Sequence, residues 1–134
     1  ISAKADYAVR AAVEMAVAGD EPVKGEKLAD AQDIPLQFLE HILLELKHAR
    51  LVRARRGARG GYWLAQPPEE ITLASVIRAV EGPIATVRGV RPDDVHYDGA
   101  AQALASVWID LRAAMRGVLE ETTLAEVAAR SGPT

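Results

Sequence analysis

The sequence predicts a mainly α-helical, winged helix-turn-helix fold with a long helix toward its C-terminus. Three stretches carry that prediction. Two helical segments, Lys24 or Gly25 to Gln32 and Pro35 onward, are joined by the tight connection Asp33-Ile34-Pro35, which fits a helix-turn-helix. The run Arg-Gly-Ala-Arg-Gly-Gly from Arg56 to Gly61, flanked by Leu51-Val52 and Tyr62-Trp63-Leu64, reads as a two-stranded wing with an exposed tip. Ala101, Leu104, Trp108, Leu111, Met115 and Val118 recur in alternating steps of three and four, the spacing of a heptad seam.

The elements follow in order. Ser2 is a fitting N-cap for a helix to Ala18, whose apolar face is Tyr7, Ala8, Ala11, Ala12, Met15 and Ala16. Gly19-Asp20-Glu21-Pro22 ends it, and the short second helix turns Leu28 and Ala29 inward. The third helix starts at Pro35, whose missing N–H costs nothing in a first helical turn. Phe38, Leu39, Ile42, Leu43 and Leu46 form its apolar stripe, while Gln37, Glu40, His41, Glu45, Lys47 and His48 fill much of the other side. After the wing, Thr72 caps a helix from about Leu73 to Glu81, stopped by Gly82-Pro83. Residues 84–99 read as an irregular loop rich in turn formers. The longest helix is expected from Ala100 to about Glu121, with Arg112 and Arg116 exposed on one face. Thr123 caps a last short helix, Leu124 to Ala129, before Ser-Gly-Pro-Thr frays.

Charge is distributed unevenly. The chain carries 16 Lys/Arg and 19 Asp/Glu, a net of −3. Lys47, Arg50, Arg53, Arg55, Arg56 and Arg59 fall in one acid-free stretch, leaving 10 bases against 19 acids elsewhere, or −9. A basic spot on an acidic body points to nucleic acid. Arginines suit phosphates and narrow grooves, and glycines let the backbone approach them. The bland alternative is a solvated hairpin whose charge keeps a strand edge from aggregating. With no cysteine, disulfides, cysteine-ligated zinc and cysteine-ligated iron–sulfur clusters are excluded. No apolar run reaches membrane length and the first residues do not read as a signal peptide, so a soluble, cytoplasmic domain is expected. Enzyme chemistry finds no footing: there is no nucleophile–base pair, phosphate loop or metal-ligand spacing. His96 with Asp93, Asp94 and Asp98 lacks a recognised ligand spacing, and turn-forming aspartates account for it.

Several of these stretches together resemble the Rrf-two family of bacterial transcriptional regulators, the group containing iron–sulfur cluster and nitric-oxide sensing repressors. The pieces are SAKADYAVRAAVEMA, IPLQFLEHILLELKHARLV and RGARGGYWLAQPPEEITLASVIRAVEGPI, with a long helix near the end. The match is close over about residues 1–85. The resemblance implies a homodimer on double-stranded DNA, with a winged DNA-binding domain over 1–83, a loop over 84–99, and a dimerisation helix and tail over 100–134. It implies a recognition helix in the major groove, with Pro35, Gln37, Phe38, Glu40 and His41 as candidates. The wing candidates for the adjacent minor groove are Arg56, Gly57, Ala58, Arg59 and Gly60, with Lys4 and Tyr7 near the phosphate backbone. Ala101, Leu104, Trp108, Leu111, Met115 and Val118 are the dimerisation candidates.

Side-chain chemistry favours some of these positions. Gln37 suits an adenine edge and Glu40 a cytosine amino group. Phe38 fits either a thymine methyl or the core. Arg53 and Arg55 fit phosphate contacts or simple strand-edge charge. Cluster-binding members of the family carry three cysteines before the long helix; here TVRGVRPDDVHYDGAAQ carries none, so no cofactor is expected. Asp6 stands where some members supply an acidic ligand, and alone it cannot hold a cluster. The expected function is sequence-specific repression at a near-palindromic operator, with a small-molecule effector or a partner protein as the signal. A concavity beside Trp108 is the candidate effector site. The competing reading is a winged-helix interaction module that answers to a partner protein and has lost DNA binding.

Overall fold

The computed structural model describes residues 1–132, which form six α-helices and a two-stranded antiparallel sheet in the order α1-α2-α3-β1-β2-α4-α5-α6. Helix α1 (Ala3–Ala18) is the hub. Ser2 Oγ accepts from the Ala5 N–H at 3.0 Å, which is the expected cap. Its buried face is Ala5, Ala8, Ala11, Ala12 and Met15. Side chains this small let α2, α3, α4 and α6 all approach the same helix.

Helix α2 (Gly25–Gln32) ends on Asp33 in the left-handed region, φ 52°, and Ile34 turns back to donate to Ala29 O at 2.9 Å. Helix α3 (Leu36–His48) follows, with Pro35 as its N-cap residue, one position outside the expected start. Leu39, Ile42, Leu43 and Leu46 are fully buried, each contributing about 1.5–3 kcal/mol. That burial fixes which side of α3 faces outward.

Strands β1 (Val52–Arg55) and β2 (Gly61–Leu64) pair in the register Val52 with Leu64 and Arg55 with Gly61. A third segment joins them: Val23 exchanges two 2.8 Å backbone hydrogen bonds with Tyr62. The wing is thereby stitched to the linker before α2. Gly61 is at φ 142°, and a Cβ there would stand 2.7 Å from the Val23 backbone. Beyond a 3-10 turn at Pro68–Glu70, Thr72 caps α4 (Leu73–Glu81) by accepting from the Ser75 N–H at 3.1 Å. Glu81 Oε1 accepts from the Ser2 N–H at 2.8 Å, and hydrogen bonding to Ser2 holds its carboxyl below the ordinary value.

The expected loop contains more order than its turn formers suggest. Val87 and Val90 exchange backbone hydrogen bonds around Arg88-Gly89, and Pro92–Asp94 and Gly99–Ala101 each form a 3-10 turn. The second of these turns delays α5 (Leu104–Glu121), which starts at Leu104 rather than Ala100. Helix α6 (Leu124–Ser131) is capped by Thr123 and runs past the expected Ala129. Leu124 is wholly buried and its N–H donates to Ile71 O, while the Leu73 N–H donates to Thr122 O, so the C-terminal helix returns to the core around α1. Ser131 completes α6, and the rest of the expected frayed end lies partly outside the described residues. Among the described residues no helix is long and apolar enough to cross a membrane.

Replacing Gly61 by Ala forces a side chain toward the Val23 backbone from an unfavourable φ. The expected cost is about 1–3 kcal/mol in urea unfolding, with loss of amide protection at Val23 and Tyr62.

Candidate nucleic-acid interface

With its apolar stripe buried, α3 leaves Pro35, Gln37, Phe38, Glu40 and His41 exposed, together with Leu44, Lys47 and His48. Gln37, His41, Leu44 and His48 succeed one another at four-, three- and four-residue steps and form one outward line. Phe38 is 42% exposed, so it is not a core residue. Its ring meets Tyr7 of α1 edge-on, centroids 5.6 Å apart at 83°. On the Tyr7 ring sits the Arg10 guanidinium, 4.8 Å from the centroid, itself held by Asp6 at 3.1 Å and by Gln32 O at 2.8 Å. Asp6 is thus an exposed partner of Arg10. Lys4 Nζ lies 2.7 Å from Glu45 Oε1, a second tie between α1 and α3. Lys4 and Tyr7 therefore spend much of their capacity positioning α3.

The wing is built differently. Arg53, Arg55, Arg56, Gly57, Ala58 and Arg59 are exposed, whereas Gly60 is buried. A Cβ on Gly60 would collide with the Arg55 carbonyl, and its N–H donates to Gly57 O at 2.9 Å. Gly60 therefore shapes the tip rather than presenting surface. Lys24, just before α2, donates through Nζ to the Gly57 carbonyl and braces the same tip. Nothing local to Lys24 marks this role; in the sequence it reads only as a helix boundary, and the pairing of Val23 with Tyr62 is what brings it to the wing. None of Lys47, Arg50, Arg53, Arg55, Arg56 and Arg59 forms an ion pair with an acid among the described residues. Between α3 and the wing runs a groove of about 510 Å³, with Lys24, Lys47, Arg55 and Arg56 on its walls beside Glu26 and Glu40. Free cations on exposed backbone suit phosphates, while acids at such a surface repel them and favour donors on base edges.

The Rrf2 family, described as iron-dependent transcriptional regulators, matches residues 1–130. The chain belongs to the Rrf2 family. A Mycobacterium tuberculosis protein provisionally named an HTH-type transcriptional regulator is 53% identical over 134 residues, covering 99% of this chain and 83% of that protein. HTH-type transcriptional regulator CymR of Bacillus subtilis is 33% identical over 129 residues, covering 96% and 88%. The solved structure of B. subtilis CymR, described as the global cysteine regulator, superposes with a TM-score of 0.83 at 34% identity, over 97% of this chain and 96% of that one. T. potens IscR superposes with a TM-score of 0.80 at 30% identity, over 98% and 87%. The winged helix-turn-helix architecture and the transcription-regulator class both follow.

The iron of the family description meets unsuitable residues here. The chain has no cysteine, and among the described residues no three His, Asp or Glu side chains converge as ligands. His96 Nε2 meets only Asp98 Oδ1, at 3.0 Å, with both side chains more than four-fifths exposed. A thiolate-held cluster does not fit this Rrf2-family loop.

On α5, Trp108 and Met115 turn toward their own chain: Trp108 Nε1 donates to Tyr97 Oη at 3.2 Å, and Met115 packs on the core. Both line a shallow apolar concavity of about 350 Å³ with Leu111, Ala85, Thr86 and Val87. Leu104 is half-buried, Ala101 is exposed ahead of the helix, and Leu111 and Val118 stand 49% and 64% exposed. The expectation that both arginines of α5 remain exposed needs correction. Arg116 does, but the Arg112 side chain is only 15% exposed, drawn down onto Asp93 at 3.1 Å.

Replacing Lys24 by Met removes the brace on the wing tip and leaves the core untouched. A side-chain hydrogen bond of about 0.5–1.5 kcal/mol predicts roughly three- to tenfold weaker binding to duplex DNA in fluorescence anisotropy. The melting temperature should fall by no more than a few degrees.

Proposed function

We propose that the protein is a cluster-free, homodimeric repressor that binds a near-palindromic operator. Each protomer sets α3 in a major groove and its wing in the neighbouring minor groove. Gln37, Glu40 and His41 read base edges, with Pro35 and Phe38 at the helix entry. Arg56 and Arg59 enter the minor groove across the Gly57-Ala58-Gly60 tip, and Arg53 and Arg55 contact phosphates. Lys4 and Tyr7 hold α3 at the backbone.

One observation carries the reading: among the described residues every base of the wing region lies outside an ion pair, beside a helix whose outward line is exposed. Had those arginines been neutralised by the chain's own acids, the electrostatic case would have gone. Half-sites about one helical turn apart, or a multiple of it, fit two such units. If about 6–10 phosphates are contacted, affinity falls by roughly three to five orders of magnitude between 50 and 200 mM salt.

The dimer reading is supported by apolar side chains on the outer face of α5. Val107 and Ile109 are exposed alongside Leu111 and Val118. Val107, Leu111, Ala114 and Val118 keep the three- and four-residue rhythm, with Leu111 at the border of this face, where it also lines the concavity beside Trp108 and Met115. The seam of the dimer is accordingly assigned to the Leu111–Val118 side, with Leu104 at its edge.

Gln37→Ala should lose ~1–3 kcal/mol on the matched operator at one base pair and nothing on scrambled duplex. Equal losses on both duplexes would remove Gln37 from base readout. Separately, Val118→Asp should yield a folded monomer in sedimentation equilibrium. A dimer unchanged by that substitution would place the interface elsewhere.

A further inference from the structure

A second charged site lies apart from the wing and shares no lining residue with its groove. Arg78 from the last turn of α4, Arg91 from the loop, and Arg112 and Arg116 from α5 wall a cavity of about 400 Å³ together with Pro83 and Ile84. Four guanidinium groups around one cavity on a chain of net charge −3 ask for a reason.

Two carboxylates offset them incompletely. Arg112 Nη1 and Arg91 Nη2 reach the same oxygen, Asp93 Oδ2, at 3.1 and 3.5 Å. Arg78 Nη2 and Arg116 Nε likewise share Glu120 Oε1, at 2.5 and 3.3 Å. The Arg78 hydrogen bond, followed by that of Arg116, holds the Glu120 carboxyl below its ordinary range. Four positive charges therefore face two negative ones, a surplus of two. Each guanidinium carries five N–H donors, and most of them have no acceptor in the cavity. Arg112 is the sharpest case: its side chain is 15% exposed and its Nε is buried without a partner.

We propose that this cavity binds a small, multiply charged anion bearing carboxylate or phosphate groups. Its oxygens pair with the guanidinium forks, the geometry in which arginine binds such groups best. The cavity volume suits a compact metabolite rather than a polymer. Its walls come from three elements, so an occupant ties the 84–99 loop to α4 and α5. Helix α4 packs on both α1 and α3, the pair that positions the recognition surface. Control of DNA binding by the anion rests on the repressor reading; occupancy of the cavity does not.

The test is isothermal titration calorimetry on the full chain without DNA, at fixed ionic strength, with sodium pyrophosphate and with sodium citrate as probes. At least one probe should bind saturably, with one site per chain. The Arg91→Gln/Arg116→Gln double variant, altered at two exposed side chains, should bind at least about tenfold more weakly and melt at the parent temperature. Arg112→Gln should weaken binding further. The wing variant Arg56→Gln/Arg59→Gln should bind the probe as the parent does. Absence of saturable heat with both probes, full binding by the cavity variant, or loss of binding in the wing variant would each overturn the proposal. Operator affinity of the anion-free protein is measured in parallel. Intact DNA binding with no anion heat removes the cavity proposal alone.

Discussion

Burial of one face of α3 against α1 is the constraint on which the rest depends. Leu39, Ile42, Leu43 and Leu46 are each worth about 1.5–3 kcal/mol in the core, while the half-exposed Lys4–Glu45 pair contributes about 0–1. Hydrophobic burial therefore sets the rotation of α3, and the ion pair and the Tyr7–Phe38 contact trim its tilt. Because the apolar stripe is narrow, the opposite line Gln37, His41, Leu44 and His48 is left outside by the same act that folds the domain. The outward surface needs no separate stabilisation.

The wing depends on backbone geometry more than on packing. Its tip is exposed and charged, so it has few apolar contacts to hold it. Val23 supplies two hydrogen bonds to Tyr62, Lys24 supplies one to the tip, and glycine at 60 and 61 permits the close approach. A strand pair this short is marginal alone, and the extra segment makes it a fixed platform for arginines.

Much of this was legible in the residues. The helical periodicity of α3, the Ser2, Thr72 and Thr123 caps, and the glycine-rich tip each state their structure locally. Tertiary effects were not legible. Whether Phe38 is core or surface depends on Tyr7 meeting it from another helix. The bracing role of Lys24 depends on a pairing between residues 23 and 62. The depth of Arg112 depends on Asp93 in a loop whose turn formers conceal its order. The heptad spacing on α5 did not say which of its residues would turn toward the chain's own loop and core. Met115 packs on the chain's own core and Trp108 bonds to Tyr97, while Val107, Leu111, Ala114 and Val118 stay exposed.

If two copies of α3 and the wing are held at a fixed distance, the spacing of their contacts on DNA will show it. Hydroxyl-radical footprinting on an operator recovered by genomic footprinting should give two symmetry-related sets of protections, their centres about 10 base pairs or a multiple apart, each with a protected minor groove beside it. A single asymmetric protection without the minor-groove component would contradict the account.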